Sequence, residues 1–249
     1  MKLENVIVER PYKKVYRCDE GIAKVFEPSH PKEDVFNEAL NQARVEATIM
    51  QADLITHFEL FVRREMEAGR DPYVFAERLM QENPDKMDEY MEQFVDLQLE
   101  IHSKAAPLLG KLKDKLNRQI NSLKDVVDAT TRYELLTRLD SMPKHHKVCH
   151  GDFNPSNVIV GEDGSLYVVD WAHATQGNAS ADAAMTYLLF ALKDQKLADK
   201  YMDLFCRKSD TARQYVQQWL PIVAAAQLTK KHTMEQDFLM KWIDIFDYQ

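Results

Sequence analysis

The sequence predicts an α+β fold in two lobes, a small antiparallel-sheet lobe over residues 1–80 and a larger, mainly helical lobe over residues 81–249. Three observations carry that expectation. From Val6 to Phe26 apolar and polar residues alternate in short runs (VIV, KVY, IAKVF), broken by Pro11 and by Asp19 to Gly21, the period-2 signature of strands and turns. From Pro31 to Thr48 the period lengthens, with Val35, Ala39, Leu40, Ala43 and Ala47 recurring at helical spacing. From Asn83 onward the longer period persists, apart from a single pair of short strands.

The elements follow in order. After the first helix, Phe58 to Arg63 and Tyr73 to Leu79 read as the remaining strands of the small lobe, with REMEAGRD as a turn by composition. Asn83 and Pro84 form a helix start, the asparagine as cap and the proline at the first helical position. Met87, Tyr90, Met91, Phe94, Val95, Leu97 and Ile101 then supply an apolar face. A second helical stretch runs from Leu116 to Leu139. After Pro143 the chain turns to strands, NVIV and LYVVDW, joined across GEDGS, where Asp163 and Gly164 make a hairpin turn. From Ala181 to Tyr248 the text is helical, interrupted at Lys208 to Asp210 and held by Trp219, Phe238, Trp242 and Phe246. Two lobes in this order make a cleft between them the natural place for a ligand.

Composition narrows the function classes. A chain of 249 residues, 45% of them hydrophobic, can bury a substantial core. The formal charge of -8 argues against a nucleic-acid partner, which needs a basic face, and favours cationic ligands. Cys18, Cys149 and Cys206 are far apart and form no C-x-x-C pair, which fits packed thiols in a reducing compartment. The N-terminal MKLENVIVER has no apolar targeting core, and no stretch has the apolar length of a membrane span, so the expectation is a cytoplasmic protein without a membrane partner, monomer or homodimer.

The sharpest signal is HGDFNPSNVIV, His150 to Val160, followed across the hairpin by VVDW, which ends in Asp170 and Trp171. Phosphoryl transfer to a hydroxyl needs one carboxylate beside the attacking oxygen and, a few residues on, an amide oxygen beside a metal ion; Asp152 and Asn157 fit those two posts. A second carboxylate must help hold Mg²⁺ on the nucleotide phosphates, and Asp170 stands at the end of the return strand. In these residues the chain resembles the aminoglycoside phosphotransferase family, relatives of choline kinases and, distantly, of protein kinases, whose catalytic loop reads H-G-D-x-x-x-x-N. Gly151, where protein kinases carry arginine, separates it from the latter.

The resemblance implies a bilobal protein-kinase-like fold and an ATP- or GTP-dependent, Mg²⁺-requiring transfer to a small-molecule hydroxyl acceptor of aminoglycoside, sugar or amino-alcohol type. It places His150 as a structural member of the loop and Asp182 as the acid bracing that loop from the next helix, although a plain helix N-terminal charge reads equally well there. Lys24 in IAKVF matches the strand lysine that contacts nucleotide phosphates, with Glu38 as its ion-pair partner and Glu46 as the alternative. No glycine-rich phosphate cover stands between the first two strands; Lys13 and Lys14 supply charge there or are simply solvated. The likeness covers residues 1–49 and 81–249 and fades from Met50 to Met80, where Phe75 to Glu77 are the candidates for the adenine-contacting hinge.

Three other readings compete. A pseudokinase would bind nucleotide without turnover, but it has no need of Asp152, Asn157 and Asp170 together. A metal hydrolase is suggested by His145, His146, Cys149, His150 and Asp152 crowding one stretch, yet neighbours on a strand point to opposite faces and the spacing matches no zinc motif. Cys149 and His150 are adjacent, which prevents the geometry of a nucleophile and its base. For a cationic acceptor, Glu235, Asp237, Asp244 and Asp247 are the candidate partners.

Overall fold

The computed structural model describes residues 3–10, 13–18, 21–49, 74–161, 164–230 and 233–243. The chain divides into two compact units, Met1–Lys86 with Pro155–His173, and Met87–Asn154 with Ala174–Gln249. A single cut after residue 80 therefore differs from what is found. The reason lies in sheet pairing, which draws the downstream hairpin into the first unit.

In the first unit, β1 (Leu3–Arg10), β2 (Lys13–Cys18) and β3 (Gly21–Phe26) form an antiparallel sheet in sequence order. The alternation from Val6 to Phe26 thus marks real strands. Helix α1 (Lys32–Ile49) follows, as the change of period predicts. Its inward face differs from the one expected. Val35, Glu38, Asn41, Gln42 and Val45 are at least partly buried, whereas Ala39, Leu40 and Ala43 face solvent. Polar contacts of Glu38 and Asn41 set the orientation of this helix, so apolar periodicity misassigned the face.

A short strand β4 (Val74–Phe75) leads into helix α2 (Ala76–Glu82). Tyr73 lies outside the described residues, and of the strand expected over Tyr73 to Leu79 the described part is strand at Val74 and Phe75 and helix from Ala76; AERLMQE is built of good helix formers, and Arg78 pairs with Glu82 at 2.8 Å one turn on. Phe58 to Arg63 lie outside the described residues. β4 pairs with β6 (Val158–Val160), and β6 with β7 (Leu166–Val168), all antiparallel. The predicted hairpin is this β6–β7 pair, with Gly164 at φ +81, a left-handed value that glycine adopts without strain.

The second unit is helical around a two-stranded ladder. Asn83 does not cap forward; its side chain returns to the Leu79 carbonyl at 3.0 Å and ends α2, and Pro84–Lys86 form a 3-10 turn before α3 (Met87–Ser103). The stretch read as one helix from Leu116 to Leu139 is two, α4 (Leu112–Ser122) and α5 (Ala129–Ser141), the latter capped by Asp128. β5 (Lys147–Cys149) pairs antiparallel with β8 (Thr175–Gly177). Helices α6 (Ala179–Ala191), α7 (Gln195–Ser209), α8 (Arg213–Gln217), α9 (Leu220–Leu228) and α10 (Thr233–Ile243) complete the unit.

Helices α6 and α9 are buried on nearly every side, in keeping with their largely apolar composition. Phe94, Phe153, Phe190 and Tyr201 form an aromatic cluster beside α6. The break between α7 and α8 falls at Asp210, in left-handed conformation, within the interruption read at Lys208 to Asp210. Among the described residues no helix is long and apolar enough to cross a membrane.

Candidate active site

The first unit contains six of the predicted residues, Lys24, Glu38, Phe75, Glu77, Asn157 and Asp170. Lys24 on β3 stands opposite Val15, and Lys13 opposite Phe26, so Lys13, Val15, Lys24 and Phe26 share one face of the sheet. Lys24 makes an ion pair with Glu38 of α1 and lies 3.6 Å from Asp170 Oδ1. Lys13 Nζ donates to Asp170 Oδ2 at 2.8 Å. Burial pushes the Lys24 ammonium down to about 8; the Asp170 carboxylate opposes this and the Lys13 charge adds to it. Asn41 Nδ2 of α1 donates to the Ala172 carbonyl at 3.0 Å, fixing the helix beside the turn that follows Asp170.

Asn157 and Asp170 flank the open end of the β6–β7 hairpin. Val158 opposes Val168, and the Val169 amide donates to the Asn157 carbonyl at 3.0 Å, so the register continues one step to Asn157 and Val169, with Asp170 the next residue along the strand. Asn157 ends the 3-10 turn Pro155–Asn157 and is 3% exposed. Asp170 has φ +66, a left-handed conformation rare outside glycine, which a buried Trp171 holds by donating from Nε1 to the Val168 carbonyl at 3.1 Å. A carboxylate and an amide oxygen in this arrangement are hard donors of the kind Mg²⁺ takes.

Phe75 and Glu77, the hinge candidates, fall at a strand-to-helix junction in the same unit. Phe75 pairs with Ile159 on β6, and Glu77 lies in the first turn of α2. The Glu46 side chain lies outside the described residues.

The second unit carries the H-G-D loop. Asp182 sits in the first turn of α6, whose start is capped by Asn178, and is 3% exposed. Its Oδ1 accepts the Gly151 amide at 2.6 Å, and its Oδ2 accepts the His150 amide at 3.1 Å and lies 2.9 Å from His102 Nε2. Burial raises the Asp182 carboxyl, but the hydrogen bond and charge of His102, followed by His150 and the Gly151 amide, outweigh it and hold the group below the usual carboxylate range. Gly151 has φ +79, which lets the loop turn both amides onto one carboxylate.

His150 is fully buried, with its ring edge-on to Phe153 and its Nδ1 accepting the Asp152 amide at 3.3 Å. Nε2 therefore carries the proton in the neutral ring. Phe153 is anchored by stacking on Phe94 and through its carbonyl, which accepts Thr186 Oγ1 at 2.9 Å. The Asp152 side chain is left partly exposed, and its Oδ1 lies 3.2 Å from Lys230 Nζ. Burial of Cys149 on β5 raises its thiol well above the ordinary value, and its Sγ donates to the Asn178 carbonyl at 3.5 Å. Among the described residues no group of three or more His, Cys, Asp or Glu side chains is placed to hold a metal ion.

Sequence reasoning missed Lys230 and His102, and left Lys13 undecided. Period 2 separates Lys13 from Lys14: the former shares the Lys24 face, whereas the latter points the other way and pairs with Glu9 at 2.7 Å. Of the carboxylates offered to a cation, Glu235 and Asp237 lie on α10, Asp237 exposed; Asp244 and Asp247 lie outside the described residues.

A sequence model described as the phosphotransferase enzyme family (APH) matches residues 22–219. Among curated proteins none matches the chain. Several solved structures share the fold. Choline kinase LicA from Streptococcus pneumoniae is 14% identical with a TM-score of 0.64, over 98% of this chain and 93% of that one. The choline/ethanolamine kinase family protein from Mesorhizobium loti is 12% identical with a TM-score of 0.54, over 98% and 85%. The ADP-bound aminoglycoside phosphotransferase APH(2'')-Ib is 14% identical with a TM-score of 0.53, over 98% and 93%.

Proposed function

Because the chain belongs to the phosphotransferase enzyme family, we propose that it is a kinase that moves the γ-phosphoryl group of ATP or GTP to a hydroxyl of a small molecule. The observation that carries this reading is the H-G-D loop itself: two backbone amides, His150 and Gly151, are fixed on buried Asp182, while the next residue, Asp152, keeps a partly exposed carboxylate. A structural turn has no use for a rigidly mounted, exposed acid. A general base requires one.

In this reading Lys24, held by Glu38, and Lys13 meet the nucleotide phosphates; Lys13 supplies on the sheet face the charge that a glycine-rich cover would otherwise place there. Asn157 and Asp170 would hold Mg²⁺. The fit rests on their oxygen donors and on the two lysine ammonium groups at the Asp170 carboxylate, which mark it as a place where positive charge settles. When bound, the ion neutralises charge on the phosphates. Asp152 orients the acceptor hydroxyl. As that oxygen bonds to the γ-phosphorus and the bond to the β–γ bridging oxygen breaks, the hydroxyl proton passes to Asp152 and the nucleoside diphosphate leaves.

Asp152→Asn tests the assignment. It keeps size and polarity but removes the proton acceptor, so kcat should fall by about 10²–10⁴ while nucleotide affinity, measured by calorimetric titration, stays at the wild-type value. Turnover undiminished in this variant would refute the role.

A further inference from the structure

Away from the catalytic loop, the second unit contains a cavity of about 140 Å³ where β8 meets the start of α4. Gln176 and Gly177 of β8 line it, with Lys111 to Lys113 at the start of α4 and Pro143 to His146 ahead of β5. In the β5–β8 ladder Gly177 pairs with Lys147, whereas the H-G-D loop leaves from the other end, beyond Cys149. The length of that ladder, about 10 Å, lies between the cavity and the loop.

Two features of this cavity are unsatisfied. The first is the indole of Trp219, the residue before α9, which lines the cavity and is 0% exposed; its Nε1 has no acceptor among the described residues. A buried donor without an acceptor is destabilising, and an indole N–H can only donate. The second is the N-terminus of α4, a helix of 11 residues. Its cap position is held by Lys111, whose extended backbone (φ -74, ψ 130) suits a capping residue but whose side chain has no acceptor to offer, and no side-chain hydrogen bond caps the helix.

The side chains around these two donors set the sign of the ligand. Gln176 is engaged within the protein: its Nε2 donates to the Pro107 and Leu109 carbonyls at 3.1 and 2.6 Å, and its Oε1 lies 3.3 Å from His146 Nδ1. Asn178 is engaged as well, through Tyr215 Oη at 2.6 Å and the Ser180 amide at 2.9 Å. Lys113 Nζ donates to the Asp140 and Met142 carbonyls, each at 2.9 Å, and an ammonium has a third proton to give. Lys111, Lys144 and His145 bring further donors. Asp114, exposed in the first turn of α4, is the one acid among the described lining residues and stands where the helix dipole favours a carboxylate.

We propose that this cavity binds phosphate, as the free ion or as the phosphate group of a small monoester, with the α4 N-terminus, Trp219 Nε1 and the flanking lysines as its donors. The volume equals that of about four or five water molecules. A phosphate group fits there, whereas a whole nucleotide needs the larger space, roughly 300 Å³ or more, of an ordinary ligand pocket. A tetrahedral oxyanion presents acceptors on every side, which suits donors arriving from α4, from the segment before β5 and from the residue before α9; a planar carboxylate presents them in one plane. The bound anion caps α4 and satisfies the indole at once.

Calorimetric titration of the purified full chain at fixed ionic strength compares inorganic phosphate, glycerol 3-phosphate and acetate. Two variants assign the site. Lys111→Asp gives α4 a cap of its own and places a carboxylate beside the cavity, so it should fold with a Tm at or above that of wild type while phosphate binding is lost. Trp219→Phe removes the indole donor and should raise the phosphate Kd about tenfold; circular dichroism shows whether it folds, and if it does not, Lys111→Asp decides alone. Phosphate held by Lys13 and Lys24 in the first unit would survive both changes, so only the component that the variants weaken belongs to this cavity. Saturable binding of phosphate or glycerol 3-phosphate that Lys111→Asp abolishes supports the proposal, and the tighter of the two separates the free ion from the monoester. No such component up to about 10 mM, well above the usual KM range, an unchanged Kd in either folded variant, or acetate binding as tight as that of phosphate, overturns it.

Discussion

Asp182→Ala removes the one carboxylate that organises the H-G-D loop, and the structure sets the size of the effect. Three donors lose their acceptor at once: the His150 amide, the Gly151 amide and His102 Nε2. Each buried donor left unpaired costs about 1–3 kcal/mol, and water entering the vacated space recovers part of that, so the expected loss is about 3–5 kcal/mol. For a chain of this size each kcal/mol lowers Tm by about 2–4 °C, which gives a fall of about 6–20 °C. Differential scanning calorimetry reads it directly. The pH dependence supplies a second signature with a fixed sign. The folded carboxyl is held below its unfolded value, so its contribution is fully present above the unfolded pKa and disappears as pH falls through the folded one. Wild-type Tm should therefore drop more steeply than that of the variant below about pH 4. A Tm within about 2 °C of wild type at neutral pH, or parallel acid limbs, would refute the account of Asp182 as the loop's mounting.

Three further outcomes follow from particular contacts. A Cβ at Gly177 would lie 2.4 Å from Leu112 Cβ, so Gly177→Ala should cost about 1–3 kcal/mol in thermal denaturation; an unchanged Tm would show that β8 and α4 yield more readily than the packing implies. The Lys24 ammonium, lowered to about 8, is charged at neutral pH and loses its proton as pH rises through that value. Nucleotide affinity of the wild type should weaken across that range, whereas Lys24→Arg, permanently charged, should show a flat profile; identical profiles would remove Lys24 from phosphate binding. Asp170→Asn should bind nucleotide with little response to Mg²⁺ in calorimetric titration, and a response equal to that of wild type would argue against Asp170 as a metal ligand.

Where chemistry imposes fixed local spacing, the candidate site can be proposed from the sequence. Asp152 and Asn157 share one loop, and Asp170 follows at the end of a hairpin, so one short stretch displays all three. The first sheet was legible for a similar reason, since alternation is a local property. Residues that act across the fold were not. Lys230 reaches Asp152 from 78 positions away and His102 reaches Asp182 from 80, and a lysine or histidine on a helix reads as a solvated face or a packed core residue. Helix α1 shows the converse difficulty. Its existence followed from periodicity, but the inward face carries Glu38 and Asn41, whose partners on β3 and after Asp170 no one-dimensional pattern displays.

The interleaving of the two units bears on how the chain is made. Among the described residues the sheet partner of β4 is β6, whose Ile159 and Val160 arrive 84 or more residues later and belong to a hairpin that closes at Val168. During synthesis the N-terminal segment emerges long before its sheet can be completed, and most of the helical unit's first half, including α3, α4 and α5, is translated in the interval. The unit that holds Lys24, Asn157 and Asp170 is thus a late product of translation despite containing the first residues of the chain. A ribosome paused near residue 120 would hold β4 before the β4–β6 pairing can form, an incomplete stage that favours chaperone engagement.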